Sequence, residues 1–409
     1  MGQRHAALLA LIGHAVAFEP SSSAAVLQQE MPPDLTEAMR VSPVVGSGGR
    51  PAMAGEYPTD PTEGMTAAPL YNTSTHGLAD LIEVLAEGAE GGEHFKIRMQ
   101  VDFRLCNCSA CSVCTVDFLL WLPAGFSEAT APWPVVFHLH GRGESSTLGL
   151  NEVGNLVRHG LPHRIRDRKH FKDRFVLVSP QLQGLPGATV LPQWRDFLPR
   201  ADALREALFA SSRLFDRERA FVTGLSVGAS AVWSWALENP AGVQPWAGII
   251  PASAEWPDFV NMTDGTPFDV VAEPQLLRLS RMNIFISHCQ NDATMPIYVG
   301  ARGRPRCTSC FADPLPSATE VTFEPPKCGV GADAIVEALE DLGLGEPQLT
   351  YNRIQYCHSS YEPTDSSFVP MYRCSSTDVG HDSWTRLYAS RRLVDWMLHR
   401  RLAPQHRWW

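Results

Sequence analysis

Much of this sequence consists of short, almost uninterrupted apolar runs separated by stretches with a helical pattern. Strands buried on both faces of a parallel sheet have this composition, because helices cover the sheet on either side. Regular alternation of such strands with helices favours one α/β sheet. The runs span 135–140, 175–179, 220–223, 246–251, 283–287 and 349–355, and helices are predicted near 151–159, 200–210, 227–238, 333–343 and 383–400.

Segments ahead of these runs predict an antiparallel hairpin. Residues 95–105 alternate between apolar and polar side chains, which is typical of a strand with one buried face. Residues 115–122 are predicted to be the returning strand, and the cysteine-rich segment 106–114 lies where the turn is expected. A short amphipathic helix is predicted at 78–85. We therefore expect a mostly parallel central sheet with helices on both faces and an N-terminal antiparallel hairpin.

The N-terminal region does not share this pattern. Residues 1–17 resemble an export signal, with a charged start, an apolar stretch and a small-x-small cleavage site. Residues 18–73 are predicted to be a flexible low-complexity leader, so the folded domain is expected at 74–409. Together with the export signal, three Asn-x-Ser/Thr sequons favour a secreted or extracytoplasmic glycoprotein; without a functional signal the location would be cytoplasmic. The sequons begin at Asn72, Asn107 and Asn261.

Composition excludes two functional classes. The formal net charge is -10, and the basic residues form no run long enough to follow a phosphate backbone, so no nucleic-acid partner is expected. No stretch reaches the roughly 18 to 20 continuous apolar residues that a bilayer span requires, so no integral membrane segment is expected. With 44% hydrophobic residues the chain is nevertheless apolar enough to bury a large core.

The ten cysteines allow several interpretations. Cys106, Cys108, Cys111 and Cys114 could hold zinc or an iron–sulfur cluster. Structural zinc sites usually take two ligand pairs separated by about a dozen or more residues, and export favours disulfides, so we predict disulfides and neither metal nor cofactor. Free buried thiols remain the third alternative, and spacing does not determine the pairing.

The sequence GLSVG at 224–228 joins a predicted strand to a predicted helix. Glycines on both sides of Ser226 allow a sharp turn that exposes the serine hydroxyl, and the following helix N-terminus favours a developing negative charge. Serine becomes a strong nucleophile only when a base takes its proton and a carboxylate orients that base. Ser226 is therefore the candidate nucleophile.

Asp292 and His381 are the candidate acid and base. Asp292 lies in a loop directly after the strand at 283–287, and His381 lies between a glycine and a predicted helix. Both positions suit the carboxyl edge of the sheet, where active sites of open α/β sheets lie. Alternatives to the acid are Asp378 and Asp382, and alternatives to the base are His288 and His358.

A third turn, HGRGE at 140–144, follows the run at 135–140. Its glycines can direct the main-chain N–H of Arg142 to an oxyanion, together with the N–H of Val227, the residue after the candidate nucleophile. His138 and His140 lie within or at the end of the strand, so we interpret both as structural histidines.

Several motifs occur together in one order along the chain: HGRGE at 140–144, SPQ at 179–181, DRERAFVTGLSVG at 216–228, HCQNDATMP at 288–296 and GHDSW at 380–384. They resemble the α/β-hydrolase serine esterases that are often labelled predicted peptidases or phospholipase/carboxylesterase-like proteins. Feruloyl-esterase-like and polyhydroxybutyrate-depolymerase-like enzymes are close to this pattern. The resemblance covers about residues 115 to 400.

The resemblance implies an α/β-hydrolase fold and a triad of Ser226, Asp292 and His381, with Arg142 and Val227 as oxyanion donors. The expected activity is hydrolysis of a small-molecule or polymer-linked carboxylic ester through an acyl-enzyme, without metal or cofactor. Thioester or peptide hydrolysis, a catalytically silent binding module, and a metal or redox centre at the cysteines are the alternatives. Cysteine-rich insertions near 300–330 and 357–380 are hypothesised to form a cap over the site.

Overall fold

A computed structural model describes most of the region that the sequence predicts to be folded. The helices, strands and loops below all belong to this described part. It comprises residues 68–88, 92–106, 114–127, 130–146, 153–167, 171, 173–183, 193–210, 213–238, 245–254, 278–290, 292, 295, 297, 331–355, 357 and 380–402. The predicted signal, almost all of the predicted leader, the sequons at Asn107 and Asn261, and nearly all of the two predicted insertions lie outside these residues.

The strands form one nine-stranded sheet in the order β1-β2-β3-β5-β4-β6-β7-β8-β9. Only β3 runs antiparallel to its two neighbours, and all other neighbours in this described sheet are parallel. The strands are β1 Leu70–Ser74, β2 Glu93–Val101, β3 Cys114–Leu122, β4 Trp133–Leu139, β5 Val176–Pro180, β6 Phe215–Leu225, β7 Gly248–Ala252, β8 Ile284–Cys289 and β9 Leu349–Ile354.

Helices connect most of the strands. Short 3-10 helices at Phe103–Cys106, Arg142–Glu144 and Val153–Arg158 complete the described secondary structure. The α-helices are α1 Leu78–Gly88, α2 Gly160–Asp167, α3 Trp194–Ala210, α4 Val227–Glu238, α5 Ala332–Asp341, α6 Trp384–Leu387 and α7 Arg391–Leu398.

Both faces of the sheet are buried, which explains the continuous apolar runs. In β4, Phe137 packs into the hydrophobic cluster that contains Trp233 on α4. The adjacent Val136 faces the opposite side and belongs to the cluster of Tyr388 and Trp396. Because successive side chains of a strand point to opposite faces, a strand covered on both sides must be apolar at nearly every position. All six predicted runs are strands, and the α/β-hydrolase fold is confirmed.

The N-terminal hairpin is also confirmed, with one correction to its first strand. Strand β2 pairs with β3 up to Val101 and Cys114, and the predicted continuation to residue 105 is wrong, because Phe103–Cys106 forms a 3-10 helix. The reason is the Cys106–Cys114 disulfide, which holds the two Cα atoms 5.7 Å apart. A straight strand from residue 101 would carry residue 106 roughly 16 Å further on, since each strand residue advances by about 3.3 Å.

Other segment boundaries differ from prediction. Residues 70–73, assigned to the end of the leader, belong to β1, which pairs with β2 in parallel and leaves Asn72 exposed at the sheet edge.

Helix α3 begins at Trp194 rather than 200, because Trp194 and Phe197 are buried against the core and Pro199 is accommodated within the helix. The helix predicted at 383–400 is divided into α6 and α7. The break lies at buried Tyr388, whose hydroxyl is 2.8 Å from Thr223 Oγ1.

The predicted helix at 151–159 is partly wrong: Val153–Arg158 is a 3-10 helix, and a separate helix, α2, follows it. The division occurs at Gly160, whose φ is +69° and whose Cα would place a Cβ 2.4 Å from His138 Nε2. The chain therefore turns where only glycine fits. Among the described helices, none is long and apolar enough to span a membrane.

Candidate active site

Ser226 lies in a sharp turn between β6, which ends at Leu225, and α4, which begins at Val227. Its φ of +55° is in the left-handed region, a strained conformation for a residue with a Cβ. The flanking glycines allow the turn: a Cβ on Gly224 would lie 2.5 Å from Gly228 O, and a Cβ on Gly228 would lie 2.2 Å from Leu139 O. Close backbone packing therefore fixes the serine at the carboxyl edge of the sheet.

His381 reaches this serine from the loop ahead of α6. Its Nε2 atom lies 2.9 Å from Ser226 Oγ, and its Nδ1 atom lies 2.8 Å from Asp292 Oδ2. An ionised carboxylate only accepts hydrogen bonds, so this network assigns the proton to Nδ1 and leaves Nε2 to accept the serine O–H. The imidazole also packs nearly perpendicular to the Trp384 ring system, with ring centroids 5.1 Å apart.

Asp292 is buried beneath His381, in the loop that follows β8. Besides the imidazole, it accepts the main-chain N–H of Met295 at Oδ1, 2.8 Å away, and its Oδ2 lies 3.2 Å from His288 Nε2. Burial alone would raise the pKa of this carboxyl, but hydrogen bonds from His288 and His381 outweigh burial and lower the pKa below its ordinary value. The group is therefore held as an anion beside the imidazole.

His288, the alternative to His381 as the base, lies against the candidate acid Asp292. It is fully buried, and its Nε2 atom lies 2.7 Å from Met295 O as well as close to Asp292. Both neighbouring atoms are acceptors, so Nε2 carries the proton and donates to them. Sequence reasoning identified this histidine only as an alternative to His381, although its position four residues before Asp292 was a usable signal.

The backbone of His381 is held by serines at the ends of neighbouring strands. Ser253, directly after β7, has Oγ 2.7 Å from His381 O and 2.8 Å from Ser383 Oγ. Ser383 Oγ in turn lies 3.1 Å from Ser287 O on β8. Ser253 has a φ of +52° and is fully buried. Sequence reasoning did not find this network.

A disulfide lies next to the acid loop. Cys289 at the end of β8 is bonded to Cys357, which follows β9. The N–H of Asp292 donates to Cys289 O at 3.2 Å, so the crosslink and the acid share one short loop. With Cys106–Cys114 this confirms the disulfide interpretation for four cysteines, and two of the thiols in the alternative metal cluster are thereby used.

Arg142 and Val227 each occupy the first position of a helical segment, Arg142–Glu144 and α4 respectively. The first N–H groups of a helix have no partner within it and are available to an incoming acceptor. The turn carrying Arg142 lies close to the serine, because a Cβ on Gly141 would be 3.6 Å from Ser226 Cβ. Arg142 and Val227 therefore remain the candidate main-chain donors to an oxyanion at Ser226.

The other acid and base alternatives are placed elsewhere or lie outside the described residues. Asp382 accepts both the N–H and the hydroxyl of Thr385, and so caps α6. His138 and His140 are buried, and burial lowers the pKa of His138 to about 3 and the pKa of His140 to about 4. Both histidines are therefore neutral at physiological pH. Asp378 and His358 lie outside the part that the structure describes.

The geometry is a buried carboxylate, an imidazole and a serine hydroxyl in one hydrogen-bonded chain. Such a chain can transfer the serine proton to the imidazole while the carboxylate stabilises the resulting positive charge. Across the described residues, no group of three or more His, Cys, Asp or Glu side chains is arranged to hold a metal ion.

Comparisons with solved structures give distant similarities to hydrolases. A thermostable esterase is 15% identical, with a TM-score of 0.45 over 75% of this chain and 63% of that one, less than two thirds of its length. The poly(3-hydroxybutyrate) depolymerase LpqC from Bordetella parapertussis is 16% identical, with a TM-score of 0.39 over 68% and 87% of the two chains. S-formylglutathione hydrolase from Staphylococcus aureus is 12% identical, with a TM-score of 0.38 over 76% and 99%.

No family model matches the chain, and no curated protein matches it. At the identities and TM-scores of the structural neighbours, similarity carries no inference about activity. The inference about activity rests on the geometry of the candidate site and on the sequence motifs of this chain.

Proposed function

We propose that the protein is a serine hydrolase that cleaves carboxylic esters through an acyl-enzyme. The observation that carries the proposal is the continuous contact from Asp292 to His381 to Ser226, with spacings of 2.8 and 2.9 Å. Three residues far apart in the sequence meet at the carboxyl edge of the sheet, where the strained turn presents the hydroxyl. The glycine-flanked turn holds Ser226 in this unfavourable φ and keeps its hydroxyl within hydrogen-bond distance of the imidazole.

The first half of the reaction forms the acyl-enzyme. Ser226 Oγ attacks the ester carbonyl carbon while its proton passes to His381 Nε2, and the carbonyl π electrons move onto oxygen. The main-chain N–H groups of Arg142 and Val227 donate to this oxyanion. The tetrahedral intermediate then collapses, the bond to the alcohol oxygen breaks, and the proton on Nε2 passes to the leaving alcohol.

The second half releases the acid. Water donates a proton to His381 Nε2 as it attacks the acyl carbon, and collapse of the second intermediate returns that proton to Ser226 Oγ. Asp292, held as an anion, stabilises the imidazolium in both halves and keeps Nδ1 as the protonated nitrogen. No metal or cofactor takes part in these steps.

An ester is the proposed substrate because the sequence motifs resemble those of serine esterases. The same triad can hydrolyse thioesters and peptides, since function depends on the pocket as well as on the triad. The substrate is expected to be a small-molecule or polymer-linked ester. The two disulfides, which form in oxidising compartments, support a secreted or extracytoplasmic location.

A fluorophosphonate probe tests the proposal directly. It should label the wild type but not Ser226→Ala. Ser234→Ala is the control and should still be labelled, because the hydroxyl of Ser234 on α4 bonds only to Ser230 O in its own helix among the described contacts. A parallel assay with p-nitrophenyl esters of short, aromatic and long acyl groups, a matched thioester and a p-nitroanilide defines the substrate class. Folded wild-type protein that neither reacts with the probe nor cleaves any substrate would be a silent binding module.

A further inference from the structure

Glu144 is a buried carboxyl group that the proposed triad does not use. It ends the turn at 141–144, and only 3% of its surface is exposed. Its Oε2 atom lies 3.3 Å from the position that a Cβ on Gly141 would occupy, so the carboxyl group packs directly against that glycine. Burial of a carboxyl group is unfavourable unless nearby groups compensate it. Its position beside the candidate oxyanion donor therefore calls for a specific partner.

The partners of Glu144 lie in its own turn. The side chain folds back onto the start of its own turn, where its Oε2 atom reaches the Cβ position of Gly141. The main-chain N–H groups of Gly141 and of Glu144 itself favour the charged form of the carboxyl group and lower its pKa against the effect of burial. The carbonyl oxygen of the glutamate is held as well, because Gln181 Nε2 donates to it at 3.0 Å. The turn is thus fixed at its start and at its end.

The peptide between Gly141 and Arg142 is held from the other side by His140. The imidazole Nε2 accepts the N–H of Leu182 at 2.8 Å, so Nδ1 carries the proton and donates to Gly141 O at 2.5 Å. In a trans peptide the C=O and the following N–H point in opposite directions. Fixing Gly141 O toward His140 therefore directs the N–H of Arg142 away from His140.

We propose that Glu144 is a positioning residue, whose carboxyl group holds Gly141 so that the main-chain N–H of Arg142 is presented to the oxyanion; this rests on the proposed function. A displacement of about 1 Å in a catalytic group can cost on the order of 100-fold in rate. Loss of one oxyanion donor costs about 100- to 1000-fold in kcat. The group that fixes the turn should therefore affect kcat rather than substrate binding.

The charged and titratable groups that face Glu144 are compatible with this role. His140 Nδ1 lies 3.9 Å away, His159 Nε2 lies 3.8 Å away, and Arg158 contributes positive charge from the same segment. Beyond His159 lies the carboxyl group of Asp382. Burial raises the pKa of Glu144 to about 7. Holding the Gly141 N–H needs only an acceptor oxygen, which the carboxylate, the neutral acid and a glutamine amide all provide.

The test compares Glu144→Gln, which keeps an acceptor, with Glu144→Ala and Glu144→Leu, which remove it. We expect the Ala and Leu variants to lose about 100-fold in kcat, with KM within about threefold, and the Gln variant to retain kcat within about fivefold. Binding of a trifluoromethyl ketone, which forms a tetrahedral adduct with the serine, should weaken in proportion to kcat/KM. This readout reports oxyanion stabilisation rather than general folding.

Asp216 provides the matched control. It is a buried carboxylate that also accepts a main-chain N–H, from Glu218 at 2.9 Å, but it lies at the amino end of β6, opposite the end that carries Ser226. Asp216→Ala should lower stability without changing kcat or ketone affinity. If Glu144→Ala does not fold, the Leu and Gln pair answers the same question.

The outcomes separate this inference from the proposed function. If the wild type is active and the Ala and Leu variants fold with kcat within about threefold of it, the inference is overturned while the function stands. An equal loss in the Gln and Leu variants also overturns it, because an acceptor would then be irrelevant. If folded wild type neither labels at Ser226 nor cleaves any ester, the proposed function fails first. In that case hydrogen exchange still tests the inference. Faster exchange at 140–144 in the Leu variant than in the Gln variant would support a role of Glu144 in holding the turn, and equal exchange in the two variants would overturn it.

Discussion

The hydroxyl of Ser253 lies 2.7 Å from the main-chain carbonyl oxygen of His381, and so joins the end of β7 to the loop that carries the imidazole. Ser253 also has a positive φ of +52°, as Ser226 does at the end of the neighbouring strand. Strained backbone of this kind persists only where its surroundings hold it. Two adjacent strands therefore end in strained serines, one proposed to react and the other to hold the base.

Replacing Ser253 by alanine should weaken the placement of His381. We expect kcat to fall about tenfold, which corresponds to about 1.4 kcal/mol of transition-state stabilisation. Loss of the buried hydrogen bond should also lower the free energy of unfolding by about 1 kcal/mol. Steady-state kinetics with a short-chain p-nitrophenyl ester and urea unfolding measure both changes. Ser234→Ala is the control, and equal kcat values for the two variants would contradict a role for Ser253 in positioning the base.

His288 should support the acid in a similar way. His288→Leu removes the N–H donor next to Asp292 Oδ2, so the pKa of the acid should rise toward the value that burial favours. We expect kcat to fall about tenfold or more, because a less anionic acid stabilises the imidazolium less well. His288→Gln retains an N–H donor of similar reach and should lose less. NMR titration of the Asp292 carboxyl together with kinetics tests this, and an identical loss in both variants would argue that only the shape of the side chain matters.

The sheet could be predicted from the sequence because its strands are buried on both faces. The runs at 135–140 and 283–287 are apolar at almost every position. This local pattern can be recognised without knowing which segments pack against each strand. The turn at Ser226 could be located for a similar reason, since Gly224 and Gly228 are needed where a Cβ would lie within 2.5 Å of another backbone atom. The ends of segments are harder to predict. Strand β2 stops at Val101 because the disulfide with Cys114 draws Cys106 back, and the alternation of 95–105 does not indicate this bond.

The contacts around the candidate site could be predicted only in part. Asp292 and His381 are candidates because one follows a strand and the other precedes a helix, and the structure joins Asp292 to His381 and His381 to Ser226. The support from His288 and Ser253 depends on distances between side chains that no local pattern records. Glu144 lies in the HGRGE motif, yet only its burial against Gly141 indicates what its carboxyl group does. Tertiary placement, rather than residue type, distinguishes a supporting polar group from a solvated one.

The two described disulfides should differ in their effect on activity. Replacing both Cys289 and Cys357 by serine should lower kcat as well as stability, because Cys289 O accepts the N–H of Asp292. Replacing both Cys106 and Cys114 should lower stability and leave kcat unchanged, because that crosslink closes the hairpin near the sheet edge. The bonds span 68 and 8 residues. The longer loop should contribute about 2 kcal/mol more in chain entropy.

Guanidinium unfolding and ester kinetics on the two double variants measure these effects. A kcat of the Cys289 and Cys357 variant equal to that of the hairpin variant would show that the acid loop does not need its crosslink. Each variant is also the other's control, since both lose one disulfide and gain two hydroxyl groups.

Glu144 should make stability depend on pH in a direction opposite to that of an ordinary salt-bridged carboxylate. Burial raises the pKa of this group from 4.5 to about 7 in the folded protein, so between these values the folded state binds more protons than the unfolded state. Its contribution to stability is therefore fully present below about pH 4.5 and is lost as the pH rises through about 7. The loss amounts to about 3 kcal/mol, because a pKa difference of one between the folded and unfolded states corresponds to about 1.4 kcal/mol.

Glu144→Gln, which carries no titratable proton, should remove this dependence. Urea unfolding at about pH 5 and about pH 8 should therefore show the wild type losing about 2 to 3 kcal/mol more than the variant over this interval. Asp382, whose pKa burial also raises, is present in both proteins, so its contribution cancels in the difference. Parallel stability curves for the two proteins would mean that the buried carboxyl group is stabilised as fully when charged as when protonated, and that water or a cation reaches it in the folded state.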